Sequence, residues 1–347
     1  MSAAAIRDHF EKQAIACDDL GSPFTARLCR ALASVLDRST VTGLQVLEWE
    51  GNPRADALAL RLCGGLHALV LSGEDDALAA LFPAAKVAQA TFETELAAAI
   101  RRNDEALVRA LDNPPQTNEI ARAGMILPGF LAAARALKRP FSGAEIGSSA
   151  GLNLIFDRFR YDYGDAGWGN AASPVRLSPE MRGTPPPLDG ELAIVARAGS
   201  DIRPVDFRDP DQRLRLRSYL WADQPHRLER LDAAIGLAEA EPFVVERADA
   251  ADFVRRRLAG PRDGTALVFF HTIMWQYLPR ATKDAIVAVL DEAGKAATPD
   301  SPIARLRMEP RDPNDPFATL SVTTWPGGET TRLAKCDYHG RWIEWTG

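Results

Sequence analysis

Glu145-Ile146-Gly147-Ser148-Ser149-Ala150-Gly151-Leu152-Asn153-Leu154 decides the fold, because the same letters fit two different machines. Counted from the acid, glycines fall at plus two and plus six, with a serine at plus four. That spacing suits a loop that seats a ligand at the end of a strand. Counted from Gly147, the letters spell G-x-S-x-G, the elbow that carries an activated serine in α/β-hydrolases. Both readings need a strand, a tight turn and a helix, so the rest of the chain must choose between them.

The chain has 347 residues, 25% charged and 46% hydrophobic, the proportions of an ordinary globular protein large enough for one or two domains. A net charge of −6 with no basic tail or stripe argues against a nucleic-acid or membrane-surface binder. Cys17, Cys29, Cys63 and Cys336 lack C-x-x-C spacing, so buried reduced thiols are expected, with neither disulfides nor a metal site. The N-terminus lacks a signal-peptide core and no run reaches ~18 uninterrupted apolar residues, so a cytoplasmic location is expected.

Up to about Leu137 the chain reads as helical. Ser22-Pro23 opens a helix, and Leu58, Leu62, Leu66 and Leu69 repeat as one helix face. Gln45 to Trp49 is a weak strand candidate. Asn118 to Leu137 reads as a helix interrupted near Pro128-Gly129. Past Pro140, short apolar runs alternate with helical stretches, the pattern of parallel βαβ units. Strands are expected at Ala144–Ile146, Glu191–Arg197, Phe243–Val245, Thr265–Phe270 and Ile303–Met308. Helices are expected from Leu152 to Tyr161, Asp211 to Ala238, Phe253 to Leu258 and Ala281 to Ala297. Phe317–Trp325, Thr331–Lys335 and Trp342–Trp345 read as an antiparallel meander, and residues 164–188 as an insertion. The expected fold is α/β: a doubly wound, Rossmann-like sheet of the methyltransferase type with antiparallel C-terminal strands (136–347), preceded by a helical N-terminal domain (1–135).

In the first reading of the loop, Gly147, Ser149, Gly151 and Asn153 seat S-adenosylmethionine. Glu145 meets its methionyl end. Asp201, with Asp206 behind it, is the acid for the ribose hydroxyls. Asp249 and Ala250 follow the third strand and meet the adenine edge, and Asp252 is read as a helix cap. Each acid alone is more often a solvated loop residue or helix cap; three acids after three successive strands are the more specific sign. In the second reading Ser149 is a nucleophile, but several strands should then precede it and this region reads as helical. A dinucleotide loop fits less well still, lacking the middle glycine.

His271 ends the most apolar strand, where open α/β sheets place their ligand crevice. It is expected to be the acceptor-side base, with Tyr277 beside it; the alternative is a locally bonded histidine, with Trp275 and Tyr277 packing the sheet edge. Trp275 and Gln276 are expected to line the acceptor site. So are Asp223 and Gln224, unless Asp223 caps a helix beginning at Pro225. Asn118, in Gln116-Thr117-Asn118-Glu119, is expected on a lid over the cofactor or as a helix cap.

The segments QTNEIARAG, EIGSSAGLNLIFDRFRYDYG, RAGSDIRPVD, LWADQPHRLERLDAAI, VFFHTIMWQYLP and HGRWIEW together resemble an uncharacterised bacterial family, domain of unknown function 2332. The resemblance spans essentially the whole chain. That family looks like a distant relative of Rossmann-fold S-adenosylmethionine-dependent methyltransferases and brings no known activity. The expected function is methyl transfer to a small-molecule acceptor, without nucleic-acid or membrane partners. A non-catalytic module that binds an adenosyl ligand or a partner is the alternative, and a serine hydrolase comes third.

Overall fold

Two compact units divide the chain in the computed structural model, which describes residues 2–83, 86–262, 264–312 and 314–347. One comprises Met1–Thr117 with Asp206–Glu229, the other Asn118–Val205 with Arg230–Gly347. This differs from the expected division at 135/136: the helix after Asn118 belongs with the sheet, and a later segment belongs with the helices. Helices α1 (Ala3–Asp19), α2 (Pro23–Val35), α3 (Val41–Leu47), α4 (Leu58–Ser72), α5 (Asp76–Ala79), α6 (Gln89–Arg102) and α7 (Asp104–Leu111) come first. Then follow α8 (Ala123–Leu137), α9 (Pro210–Ser218), α10 (Pro225–Ala238), α11 (Ala250–Ala259) and α12 (Arg280–Lys295).

In the helical unit, the side chains of Ser2, Ser22, Thr40 and Asp75 accept the first free amides of α1, α2, α3 and α5. Thr40 thereby starts a helix where Gln45–Trp49 had suggested a strand. The leucine stripe of α4 is buried, as its spacing implies. Gly64 explains why 206–229 joins this unit: a Cβ there would lie 2.5 Å from the Tyr219 ring. His67 Nδ1 also bonds the Ser218 carbonyl at 3.0 Å. Cys17, Cys29 and Cys63 lie buried and free in this core, and Cys336 is buried and free in the other unit.

The second unit is built on a nine-stranded sheet. Its strands, with those of a small second sheet, are β1 (Phe141–Ile146), β2 (Arg160–Tyr163), β3 (Ala166–Trp168), β4 (Arg176–Leu177), β5 (Glu180–Arg182) and β6 (Ile194–Asp201). They continue with β7 (Val244–Arg247), β8 (Ala266–Thr272), β9 (Ile303–Glu309), β10 (Ala318–Trp325), β11 (Glu329–Cys336) and β12 (Trp342–Trp345). The order is β5-β12-β11-β10-β9-β8-β1-β6-β7. The run β9-β8-β1-β6-β7 is parallel, and β9 to β12 pair antiparallel. The chain leaves β1 toward β6 on one side and later returns to β8 on the other, so the strand order reverses at β1. Ligand crevices of open α/β sheets lie outside the carboxyl ends at such a reversal.

Several expected elements take another form. Leu152–Arg158 is a 3₁₀ stretch broken at Ile155 and runs into β2 instead of forming an α-helix. Residues 160–182 form the small sheet β3-β2-β4 and the edge strand β5. The single helix expected from Asp211 to Ala238 is split into α9 and α10. Pro128 sits inside α8, which continues through it. The stretch Ile120–Leu137 is long and apolar enough to cross a membrane by composition, and 72% of it is buried in the protein.

The sheet has two different faces. On one, α8 packs its Phe130 ring 4.2 Å from Phe156 and 5.2 Å from Phe270. Gly129 admits the Leu306 methyl to the space that a Cβ would fill, so a larger residue there would force Leu306 to shift. On the other face Ala144, Ile146, Leu267, Phe269 and Ile303 form a core with Phe253, Val254, Ile286 and Leu290 of α11 and α12. Alternation within each strand assigns every polar strand residue to one of these faces.

Candidate functional site

The turn after β1 is held almost entirely by its own chain. Gly147 and Ser148 amides donate to the Ser200 carbonyl at 2.8 and 3.0 Å, and the Gly151 amide to the Ser148 carbonyl at 2.8 Å. The Ser149 amide donates to Asp201 Oδ2 at 2.8 Å, and the Leu152 amide to Asn118 Oδ1 at 2.9 Å. Gly147 and Gly151 have positive φ, and so does Ser149 at 54°, where a side chain is strained. With these amides consumed, the turn is poorly equipped to cradle a phosphate. What it leaves over are side-chain oxygens: Glu145 Oε2, Ser149 Oγ and Asn153 Oδ1 are sealed from solvent and bond nothing among the described residues.

Glu145 carries an electrostatic cost. Burial pushes its carboxyl well above the ordinary glutamate range, the Asp201 charge adds to this, and Ser148 and Arg122 oppose it. Burial also raises Asp201, against the amides of Arg203, Ser149 and Ile202. Both Asp201 oxygens accept backbone amides, so this expected ribose acid serves first as a clamp on the turn. Asn118 is neither a distant lid residue nor a cap on its own helix. It caps the 3₁₀ stretch of the glycine turn, and the Asn153 amide group answers by donating to the Glu119 carbonyl at 3.2 Å. Gly147 packs against Met274, and a Cβ at Gly151 would come within 2.6 Å of Val245. Asp249, expected at an adenine edge, is the N-cap of α11, while Asp252, expected as the cap, pairs with Arg255. Ala250 is buried in the first turn of that helix.

His271 departs from the expected role of general base. Since Phe270 pairs with Glu145, His271 lies on the opposite face of the sheet, the one that carries Phe269 and Ile146. It is wholly buried. Its Nδ1 donates to Glu309 Oε1 at 2.7 Å, and its Nε2 accepts from Arg305 Nη2 at 3.1 Å. Burial lowers its pKa to about 4, against the pull of Glu309, so the ring is neutral and both nitrogens are engaged. Trp275 stacks on the ring with centroids 5.1 Å apart, and the Arg305 guanidinium lies 4.2 Å above Trp275. Glu309 also accepts the Met274 and Trp275 amides, pinning the exit of β8, where Ile273 has a positive φ of 52°. Gln276 and Tyr277 are exposed beyond this network, to which the Tyr277 amide is joined only by its bond to the Met274 carbonyl at 3.0 Å.

Asp223 and Gln224 belong to the helical unit. Asp223 accepts Ser22 Oγ at 2.5 Å and the Phe24 amide at 2.9 Å, capping α2, and Gln224 donates to the Gly21 carbonyl. Gln224 Oε1 accepts from Arg227 Nη1 at 2.8 Å, so the polar atoms of both residues have partners within the helical unit, which removes the reason to assign them to an acceptor. Nor does any described histidine reach Ser149, whose hydroxyl has no partner, so the nucleophile-elbow reading lacks its base. The turn brings together Glu145, Gly147, Ser149, Gly151, Asn153, Asp201 and Asn118; the opposite face gathers His271 and Trp275. Arg305, Arg307 and Glu309 escaped sequence reading. Their signal was the alternation Ile303-Ala304-Arg305-Leu306-Arg307-Met308-Glu309, with charge at every second position from Arg305 on.

The model of an uncharacterised protein family conserved in bacteria, domain of unknown function 2332, matches residues 7–345, and the chain belongs to that family. Neither a curated protein nor a solved structure matches it.

Proposed function

We propose that the turn after β1 binds S-adenosylmethionine and that the protein is a methyltransferase of Rossmann-like type acting on a small molecule. The observation that carries this reading is the surplus of buried acceptors at Glu145, Ser149 and Asn153, beside a turn in which the Gly147, Ser148, Ser149, Gly151 and Leu152 amides already have acceptors. A ligand that satisfies such a set brings donors and positive charge, not phosphate. The methionyl ammonium and ribose hydroxyls of S-adenosylmethionine do so, whereas the pyrophosphate of a dinucleotide does not. The parallel order β7-β6-β1-β8-β9, with its reversal at β1, is the order in which methyltransferase-type sheets arrange their first five strands. Glu145 would hold the ammonium, and Ser149 and Asn153 would face hydroxyl or amine donors. Asp201 would offer the ribose the lone-pair capacity left after it accepts the amides of the turn. When bound, the cofactor supplies an electrophilic methyl group.

One observation favours a second reading, a non-catalytic adenosyl-binding protein. His271, the expected base, is neutral, fully bonded and on the opposite face from Glu145. An acceptor whose attacking atom needs no proton removed is compatible with both. Titration calorimetry with S-adenosylmethionine, S-adenosylhomocysteine and NAD tests the cofactor. The two sulfur compounds should bind and NAD should not; the reverse selectivity, or no binding of any of them, contradicts the proposal.

A further inference from the structure

The far end of the sheet has a polar face where an apolar one would be expected. Strand pairing sets Arg305 beside Thr323 and Thr323 beside Thr330; one row on, Arg307 pairs with Ser321 and Ser321 with Arg332. A third row holds Glu309, Thr319 and Lys335. Directly paired residues project to the same side, so these rows form one surface, continuous with His271 on β8. The same strands turn Leu306, Met308, Leu320 and Val322 to the opposite face, where they are buried. Arg305, Ser321 and Thr323 are each less than a tenth exposed, Arg307 is half-buried, and Thr330 and Arg332 open to solvent.

Charge on this surface does not balance. Lys335 is paired with Glu344 at 2.9 Å. Glu309 is committed through Oε1 to His271 and the Met274 and Trp275 amides, and its Oε2 bonds nothing. Arg305 donates to the neutral His271. Arg307 and Arg332 have no acid partner among the described residues, and Arg307 Nε is sealed from solvent without an acceptor. A guanidinium has five donors and no acceptor, and burying one unpaired is expensive. One half-buried and one exposed guanidinium, on strands about 10 Å apart with the buried Ser321 between them, present donors without an acid partner to a small oxyanion.

We infer that the Arg307–Ser321–Arg332 row is a binding site for the oxyanion of a small molecule, a carboxylate or a phosphate, held by the two guanidinium groups with the Ser321 hydroxyl. Arg305 adds positive field from the row below, and Glu309 bounds the site on the other side. This site is independent of the glycine turn and of any cofactor there.

Calorimetry on the full chain at constant ionic strength, with chloride as the balancing salt, tests it. The probes are inorganic phosphate and succinate. Wild type should bind at least one of them at a single saturable site. Arg307→Gln and Arg332→Gln should each weaken binding tenfold or more, while Arg255→Gln, on an exposed helix surface, should not. Arg332 is exposed, so its variant keeps the test valid should Arg307→Gln fold poorly. Binding of phosphate alone or of succinate alone supports the site and assigns the group. Failure of wild type to bind either probe saturably, or unchanged affinity in Arg332→Gln, overturns it.

Discussion

At the scale of single residues, Glu145 and His271 spend stability in opposite directions of pH. The folded pKa of Glu145 lies above its unfolded value, so above the ordinary glutamate range the unfolded chain has released a proton that the folded chain still holds. Its contribution is therefore complete at low pH and is lost as pH rises. Glu145→Gln removes this penalty without changing shape, and should be more stable than wild type at pH 8 by about 1–3 kcal/mol, with a smaller gap at pH 5. Urea unfolding at both values checks this; a less stable variant at pH 8 would show that the carboxylate has a partner in the folded chain. His271 is the mirror case. Its folded pKa of about 4 lies below the 6.5 of a free imidazole, so the unfolded chain takes up the proton first as pH falls. The neutral ring then costs on the order of 3 kcal/mol by pH 4. His271→Asn should destabilise the protein at pH 7.5 by roughly 2–4 kcal/mol, since it leaves buried Glu309 and Arg305 short of a partner. That deficit should shrink toward pH 4.5. A deficit constant with pH would mean that the histidine does not titrate differently on folding.

Among the elements, those with a strong repeat were legible. Phe269 and its neighbours are apolar without interruption and form the central strand β8, and the alternation in 318–325 gives β10. Elements decided by distant contacts were not. Leu152–Arg158 has helical composition, yet Asn118 and Glu119 tie its first residues down in a 3₁₀ form, and nothing local in the sequence announces that pairing. Glu145 was legible because an acid stands out at the end of an apolar strand. The partners of His271 lie 34 and 38 residues away on β9, and only the register brings them to it. The turn itself yields a test. Ser149→Gly relieves a left-handed backbone at a cost of one unbonded hydroxyl, and should leave stability unchanged or raise it by about 1 kcal/mol. Thermal unfolding reads this out, and a loss above 1 kcal/mol would mean that the hydroxyl holds the turn. Gly151→Val, by contrast, would strike Val245 and Phe243, so it reports on folding and not on a ligand.

On the scale of the whole molecule, the division of the chain follows from where apolar faces find partners. α8 is apolar nearly all round and can be satisfied only against the sheet, so the helical sequence before β1 does not end the helical unit. Segment 206–229 has the composition of a βα crossover, but Tyr219 fits against Gly64 and Asp223 caps α2, which gives it to the helical unit. Tyr219→Ala should therefore destabilise the helical unit by about 3–5 kcal/mol, detectable as an earlier transition in amide exchange of α4; protection unchanged in α4 would refute the packing. In the proposed function, the carboxyl end of β1 recognises an adenosyl ligand through the buried carboxyl group of Glu145. S-adenosylhomocysteine carries the amino-acid ammonium and 5′-methylthioadenosine does not, so the two compounds isolate that contact. Calorimetry on wild type and Glu145→Gln should show a preference for S-adenosylhomocysteine in wild type that falls by about 10–100-fold in the variant, with 5′-methylthioadenosine little affected. Equal preference in the two proteins, or failure of wild type to bind either compound, would contradict the account.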